Sequence, residues 1–184
     1  MAVWIVLIVV STVLFAITLI YNKLIRLRNK TENAWGAINV QLHRRYDLIP
    51  ILVKIVQGYA EHEKVAFVEV TSARTAAVTT EGRAKLAESN DYVTSCLERV
   101  FAISESYPDL NANENFLDLQ EELSETENLI AYSRQYYNDV ALKFNNFLQT
   151  FPYNVFAGGF DFHKREYFTN YEIPESFNIE TNEQ

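Results

Sequence analysis

The side chains able to do chemistry are few in this chain, and their spacing argues against a catalytic centre. A helical di-iron site needs Glu followed by His three residues later, twice over. The residues three before His43, His62 and His163 are Val40, Tyr59 and Phe160, so no histidine completes that pattern. Glu61, His62 and Glu63 are consecutive, and on a helix their side chains diverge to different faces, which makes them a solvated patch. The single cysteine, Cys96, excludes a disulfide framework and a cysteine-based zinc site. With no His within a helical turn, it reads as an inert packing residue. No glycine-rich phosphate loop is present. The expectation is a protein that is not an enzyme, with no catalytic residues, no metal site and no cofactor.

Two polar sets remain. Arg44, Arg45, Tyr46 and Asp47 lie beside Pro50, and Glu122, Glu125, Glu127 and Asn128 lie far downstream. Arg45 falls on an apolar helical seam, and a buried ion must be paired. A structural network drawn from Arg44, Arg45, Asp47, Glu122 and Glu127, fixing helix register, is therefore expected rather than catalysis. An exposed version would serve contacts between subunits.

The element that must position everything else is the first 22 residues. From Met1 to Tyr21 the polar side chains are Ser11, Thr12 and Thr18, and the first charge is Lys23. A helix of that length spans roughly 31 Å, the thickness of a bilayer's hydrocarbon core. A signal peptide would carry a Lys or Arg before the run and a small-residue cleavage site after it; here Ile-Tyr-Asn-Lys follows. Residues 1–22 are thus expected to be a retained single-pass anchor, with Trp4 and Tyr21 at its two interfaces. Lys23, Arg26, Arg28 and Lys30 crowd its C-terminal side. The positive-inside rule places that collar and the rest of the chain in the cytoplasm and the short N-terminus outside the cell membrane. There the collar can lie against anionic headgroups.

The net charge of -8 is unevenly distributed: residues 22–57 sum to +5, 58–107 to -3, and 108–184 to -10. A basic end on the bilayer and an acidic end away from it exclude a nucleic-acid footprint. Five Gly and four Pro in 184 residues favour long helices over a β-sandwich. One three-and-four apolar series runs from Ile38 through Leu42, Ile49 and Leu52 to Ala77, with Arg45 and Glu63 as charged members. Pro50 removes a donor inside it and frees the Tyr46 carbonyl. The unchanged register favours a kinked helix over a break at Asp47-Leu48-Ile49. Thr79 to Gly82 is the first stop, a second helix covers about 84–107, and Pro108 to Glu114 reads as a turn with Asn113 as cap. The third helix keeps its alternation from Phe116 through Ile130 to Phe151, with polar Thr126 and Ser133 on the seam.

The fold class is all-α: a transmembrane helix, then an elongated antiparallel bundle of three to four long helices over 23–168, then an acidic tail over 169–184. The aromatic segment Phe151 to Phe168 is open to three readings: a cap on the bundle end, a subunit interface, or a membrane-touching loop.

Tyr21-Asn22-Lys23-Leu24, Asn33-Ala34-Trp35 and Arg44-Arg45-Tyr46-Asp47-Leu48-Ile49-Pro50 are distinctive together. So are Gly58-Tyr59-Ala60-Glu61-His62-Glu63, Tyr107-Pro108-Asp109-Leu110, Thr126-Glu127-Asn128 and Tyr136-Tyr137-Asn138. In this order, and over nearly the whole chain to about Phe168, the sequence resembles the LemA family. The segment Gly158 to Phe162 is looser than that family's usual ending. The resemblance implies a short external N-terminus, one membrane helix and a cytoplasmic helical bundle. A branch of the family is associated with forming magnetosome membrane vesicles, which implies membrane shaping.

The expected function is a membrane-anchored scaffold that self-associates, touching lipid through Trp4, Tyr21, Lys23, Arg26, Arg28 and Lys30. Subunit contact is expected through Phe156, Phe160, Phe162 and Tyr167. The alternative is a monomeric or dimeric adaptor that recruits a partner, such as another membrane protein, through its acidic distal face.

Overall fold

A computed structural model of the chain describes residues 1–60 and 62–168. The expected acidic tail, and Glu61 of the solvated patch, lie outside the described residues. The order of elements is α1 (Ala2–Gln57), α2 (Lys64–Thr79), α3 (Arg83–Ser104), α4 (Pro108–Asn111), α5 (Glu114–Gln149) and α6 (Tyr153–Gly159). The fold is all-helical, as expected, and built as an antiparallel bundle on one long apolar N-terminal helix.

Helix α1 has 56 residues, which at ~1.5 Å per residue is roughly 84 Å of unbroken rod. Its first third is exposed and apolar; from Leu24 onward one stripe is buried, including Ile38, Leu42, Arg45, Ile49, Leu52 and Val56. Pro50 lies inside the helix, which continues through it, because the proline is on the exposed side of the rod. The carbonyl freed at Tyr46 accepts a hydrogen bond at 2.5 Å from Arg74 Nε of α2. The missing backbone donor is replaced by a side chain, and the same bond docks α2 onto α1.

The apolar series that runs to Ala77 does not stay on one helix. Helix α1 ends at Gln57, and Ala66, Val70, Ala73 and Ala77 belong to α2, which folds back. The turn keeps the phase of the three-four pattern, so periodicity alone passes across it. Gly58, a residue that weakens a helix interior by about 1 kcal/mol, was the local signal. Helices α2 and α3 form a hairpin around Gly82, whose φ of 92° is in the left-handed region that favours glycine. The turn read at Pro108 closes into the single-turn α4, with proline in its first turn and Leu110 buried.

Helix α5 begins as expected at Asn113, whose side chain accepts from the Phe116 amide at 3.1 Å. The buried seam includes Phe116, Leu123, Thr126, Ile130 and Tyr137, then shifts to Ala141, Phe144 and Leu148. Phe151 therefore falls off the seam and is exposed. Thr126 stays buried because its hydroxyl donates to the Glu122 carbonyl at 2.7 Å. Lys23 lies over Phe147, Trp35 meets Tyr137, Arg45 meets Glu127, and Tyr59 meets Asn113. The partner number falls as the α1 number rises, which is an antiparallel register.

Among the described residues, two apolar cores result. The distal one is shared by α1, α2, α3 and α5. The smaller one joins Leu24, Phe144, Leu148, Ala157 and Phe162, where the apolar third of α1 meets the bundle.

Candidate functional site

The first third of α1 is exposed and predominantly apolar. An 18-residue window in it has no buried residues and a mean hydropathy of 2.9, so the helix is long and apolar enough to cross a membrane. The Thr12 and Thr18 hydroxyls donate to the carbonyls of Ile8 and Leu14, each at 2.9 Å. Folding those hydroxyls back onto the helix removes the cost of presenting them to hydrocarbon. Trp4 is exposed near one end and Tyr21 near the other. Lys23, Arg26 and Lys30 are exposed, whereas Arg28 is half-buried with its guanidinium 5.7 Å from the Phe162 ring centroid.

The aromatic segment folds back on the bundle beside Tyr21. Tyr21 meets Phe160 at 5.2 Å and Phe162 at 6.1 Å between ring centroids. Phe162 is buried against Phe144, so its ring is occupied inside the protomer. Phe156 and Tyr167 are half-buried, and Phe160 keeps 44% of its surface exposed. Exposed Phe151 and Val155 flank the same end.

Beyond Phe162 the chain is extended and runs up α5. Asn145 clamps it by donating to the Arg165 carbonyl at 2.9 Å and accepting from the Arg165 amide at 2.8 Å. Asn138 does the same to Phe168, at 3.3 and 2.8 Å. The two asparagines are two helical turns apart on one face, so each supplies an amide edge where a strand would need a neighbour. Sequence reasoning did not assign this clamp; the Asn138/Asn145 spacing beside an aromatic segment was the available signal.

Of the expected polar network, the structure joins four members in two pairs. Arg45 is fully buried and donates to Glu127 Oε2 at 2.5 Å, to Thr94 Oγ1 at 2.8 Å and to the Asn90 carbonyl at 3.1 Å, with a further bond to the Asn90 side chain. Arg44 pairs with Glu122 at 3.1 Å at the surface. Asp47 is exposed and is brought to neither pair. Asn90 and Thr94 of α3 were missed, because a buried Asn gives no periodic signal.

A second node was not foreseen. Glu32 accepts from Arg83 and from Arg165, each at 2.8 Å, tying α1 to the start of α3 and to the C-terminal segment. Arg83 also donates to the Tyr137 hydroxyl at 2.9 Å and lies 4.9 Å from the Trp35 ring centroid. Tyr137 in turn donates to the Glu166 carbonyl at 2.6 Å.

Burial raises the pKa of the Tyr46 and Tyr137 phenols, and the neighbouring Arg45 and Arg83 charges oppose that rise only in part. Burial, then the Glu69 charge, also pushes the Cys96 thiol up, which keeps it protonated and unreactive. Among the described residues no group of three His, Cys, Asp or Glu side chains converges as a metal site would require.

A family model described as the LemA family matches residues 34–180. A protein LemA from Metamycoplasma hominis is 28% identical over 166 residues, covering 88% of this chain and 74% of its own length. Magnetosome proteins MamQ 1 and MamQ 2 of Paramagnetospirillum magneticum are each 25% identical over 189 residues, covering 87% of this chain and 69% of theirs.

Proposed function

This chain belongs to the LemA family, and we propose that it is a single-pass, membrane-anchored scaffold without catalytic activity that self-associates and organises the bilayer beneath it. The observation that carries this reading is α1. One 56-residue helix contains both the apolar anchor and the first bundle helix, so the bundle holds a set attitude to the membrane. Rods held at one angle can repeat laterally and impose a shape on the sheet that carries them. Lys23, Arg26, Arg28 and Lys30 after the apolar run support a cytoplasmic bundle by the positive-inside rule. The names of the two magnetosome relatives are consistent with a role at a membrane compartment.

Subunit contact is assigned to the outward side of the aromatic cap: Phe160 and half-buried Phe156, with Val155 beside them. The test is mass photometry of the full chain in mild detergent, with electron micrographs of the same sample. Rings, shells or lattices are expected, and Val155→Ser with Phe160→Ser should reduce them to small particles of unchanged helicity. A wild type that remains monomeric or dimeric would overturn the scaffold.

The adaptor reading has one observation in its favour. A groove of about 540 Å³ between α1 and α5 is lined by apolar Leu48, Ile51, Ile55 and Leu119, by Asn115, and by the charged Lys54, Asp118 and Glu122. If small particles are found, salt-sensitive recovery of a partner that is lost on Asp118→Asn with Glu122→Gln would support it.

A further inference from the structure

Where α1 leaves its apolar third, a groove of about 360 Å³ opens between it and α6, lined by Leu19, Ile20, Asn22, Lys23, Arg26 and Tyr153. Its lining is sorted by depth. Leu19 continues the exposed apolar surface, Ile20 beside it is half-buried against the smaller core, and Asn22, Lys23 and Arg26 follow within two helical turns. Leu19, Lys23 and Arg26 share one face of the helix by their four-and-three spacing. Phe147 supports the groove from α5: Lys23 Nζ is 5.4 Å from its ring centroid, and the Tyr153 ring packs against it edge-on at 4.9 Å. Lys23 and Arg26 are exposed, and among the described residues no carboxylate pairs with either.

We propose that this groove holds one anionic phospholipid, its phosphate between Lys23 and Arg26 and an acyl chain along Leu19 and Ile20. The inference rests on the reading that α1 crosses the bilayer. Two cations one and two turns above an apolar wall match an amphiphile whose negative headgroup joins directly to hydrocarbon, and Leu19 is continuous with the anchor's lipid-facing surface. The occupant would fill the gap between the anchor and α6, making a lipid part of the joint between membrane and bundle.

The test reconstitutes the full chain into vesicles of equimolar phosphatidylcholine and phosphatidylglycerol. The vesicles are floated, the protein is extracted in a non-ionic detergent, and retained lipids are quantified by mass spectrometry. Wild type should retain phosphatidylglycerol well above its share of the vesicle. Lys23→Gln with Arg26→Gln should lower that preference on the order of tenfold while the protein still floats. Lys143→Gln with Lys164→Gln removes the same charge from the same end of the bundle outside the groove and should retain the lipid. Equal loss in both double variants would mean diffuse charge attraction and overturn the site. A floating wild type without the preference would overturn the groove alone, and a wild type that does not float would overturn the anchor and the groove together.

Discussion

At the scale of single residues, Arg45 and Tyr46 are neighbours with opposite consequences. Arg45 is fully buried, and its two terminal nitrogens donate to Asn90, Thr94 and Glu127 from two helices, while its Nε has no partner among the described residues. Replacing it with Ala leaves those acceptors without their donor and opens a cavity, so Arg45→Ala should destabilise the bundle by about 3–5 kcal/mol, read from thermal or denaturant unfolding followed by circular dichroism. Tyr46 is 3% exposed and its hydroxyl has no hydrogen-bond partner among the described residues. Tyr46→Phe should therefore stay within about 1 kcal/mol of wild type in the same assay. The pH dependence follows from the raised phenol value. A group whose folded-state value lies above its unfolded one contributes stability that is full below the ordinary value of about 10 and is lost as pH climbs through the folded value. Stability should fall in alkali above about pH 10, and Tyr46→Phe should lessen the fall.

At the scale of elements, the joint between α1 and α2 depends on an atom that proline lacks. Arg74 occupies the Tyr46 carbonyl only because Pro50 has no amide hydrogen to offer it. Arg74→Ala should cost about 1–2 kcal/mol in the wild-type background. In Pro50→Ala the new amide takes the carbonyl, so the same Arg74→Ala change should cost measurably less. A double-mutant cycle on unfolding free energies isolates this coupling, and additive effects would sink the account.

At the scale of the whole molecule, the long α1 makes its apolar third and the bundle one body, and Tyr21 against Phe160 and Phe162 braces the junction. Inserting Gly-Ser-Gly-Ser after Asn22 breaks the rod without touching the distal core. Flotation with vesicles should be retained and the bundle's melting temperature little changed, while assembly size by mass photometry falls. Large assemblies surviving the insertion would show that the helix's continuity does not matter to them.

The sequence by itself determined what depends on short-range order. The apolar run of α1, the collar after it, the Asn113 cap, the Gly82 stop and the buried faces of α1 and α5 follow from helical geometry and the exclusion of apolar groups from water. These are read within a few turns, whatever the partner. That Arg45, a charge on an apolar seam, must find a paired group is likewise a short-range inference. The tertiary structure decided whom each polar group meets. Where the chain turns back at Gly58 sets which carbonyl Arg74 reaches, which Asn lies beneath Arg45, and whether Phe162 faces inward. Those pairings join residues far apart in the chain, and the hydrophobic period is the same on both sides of the turn, so only the folded path distinguishes them.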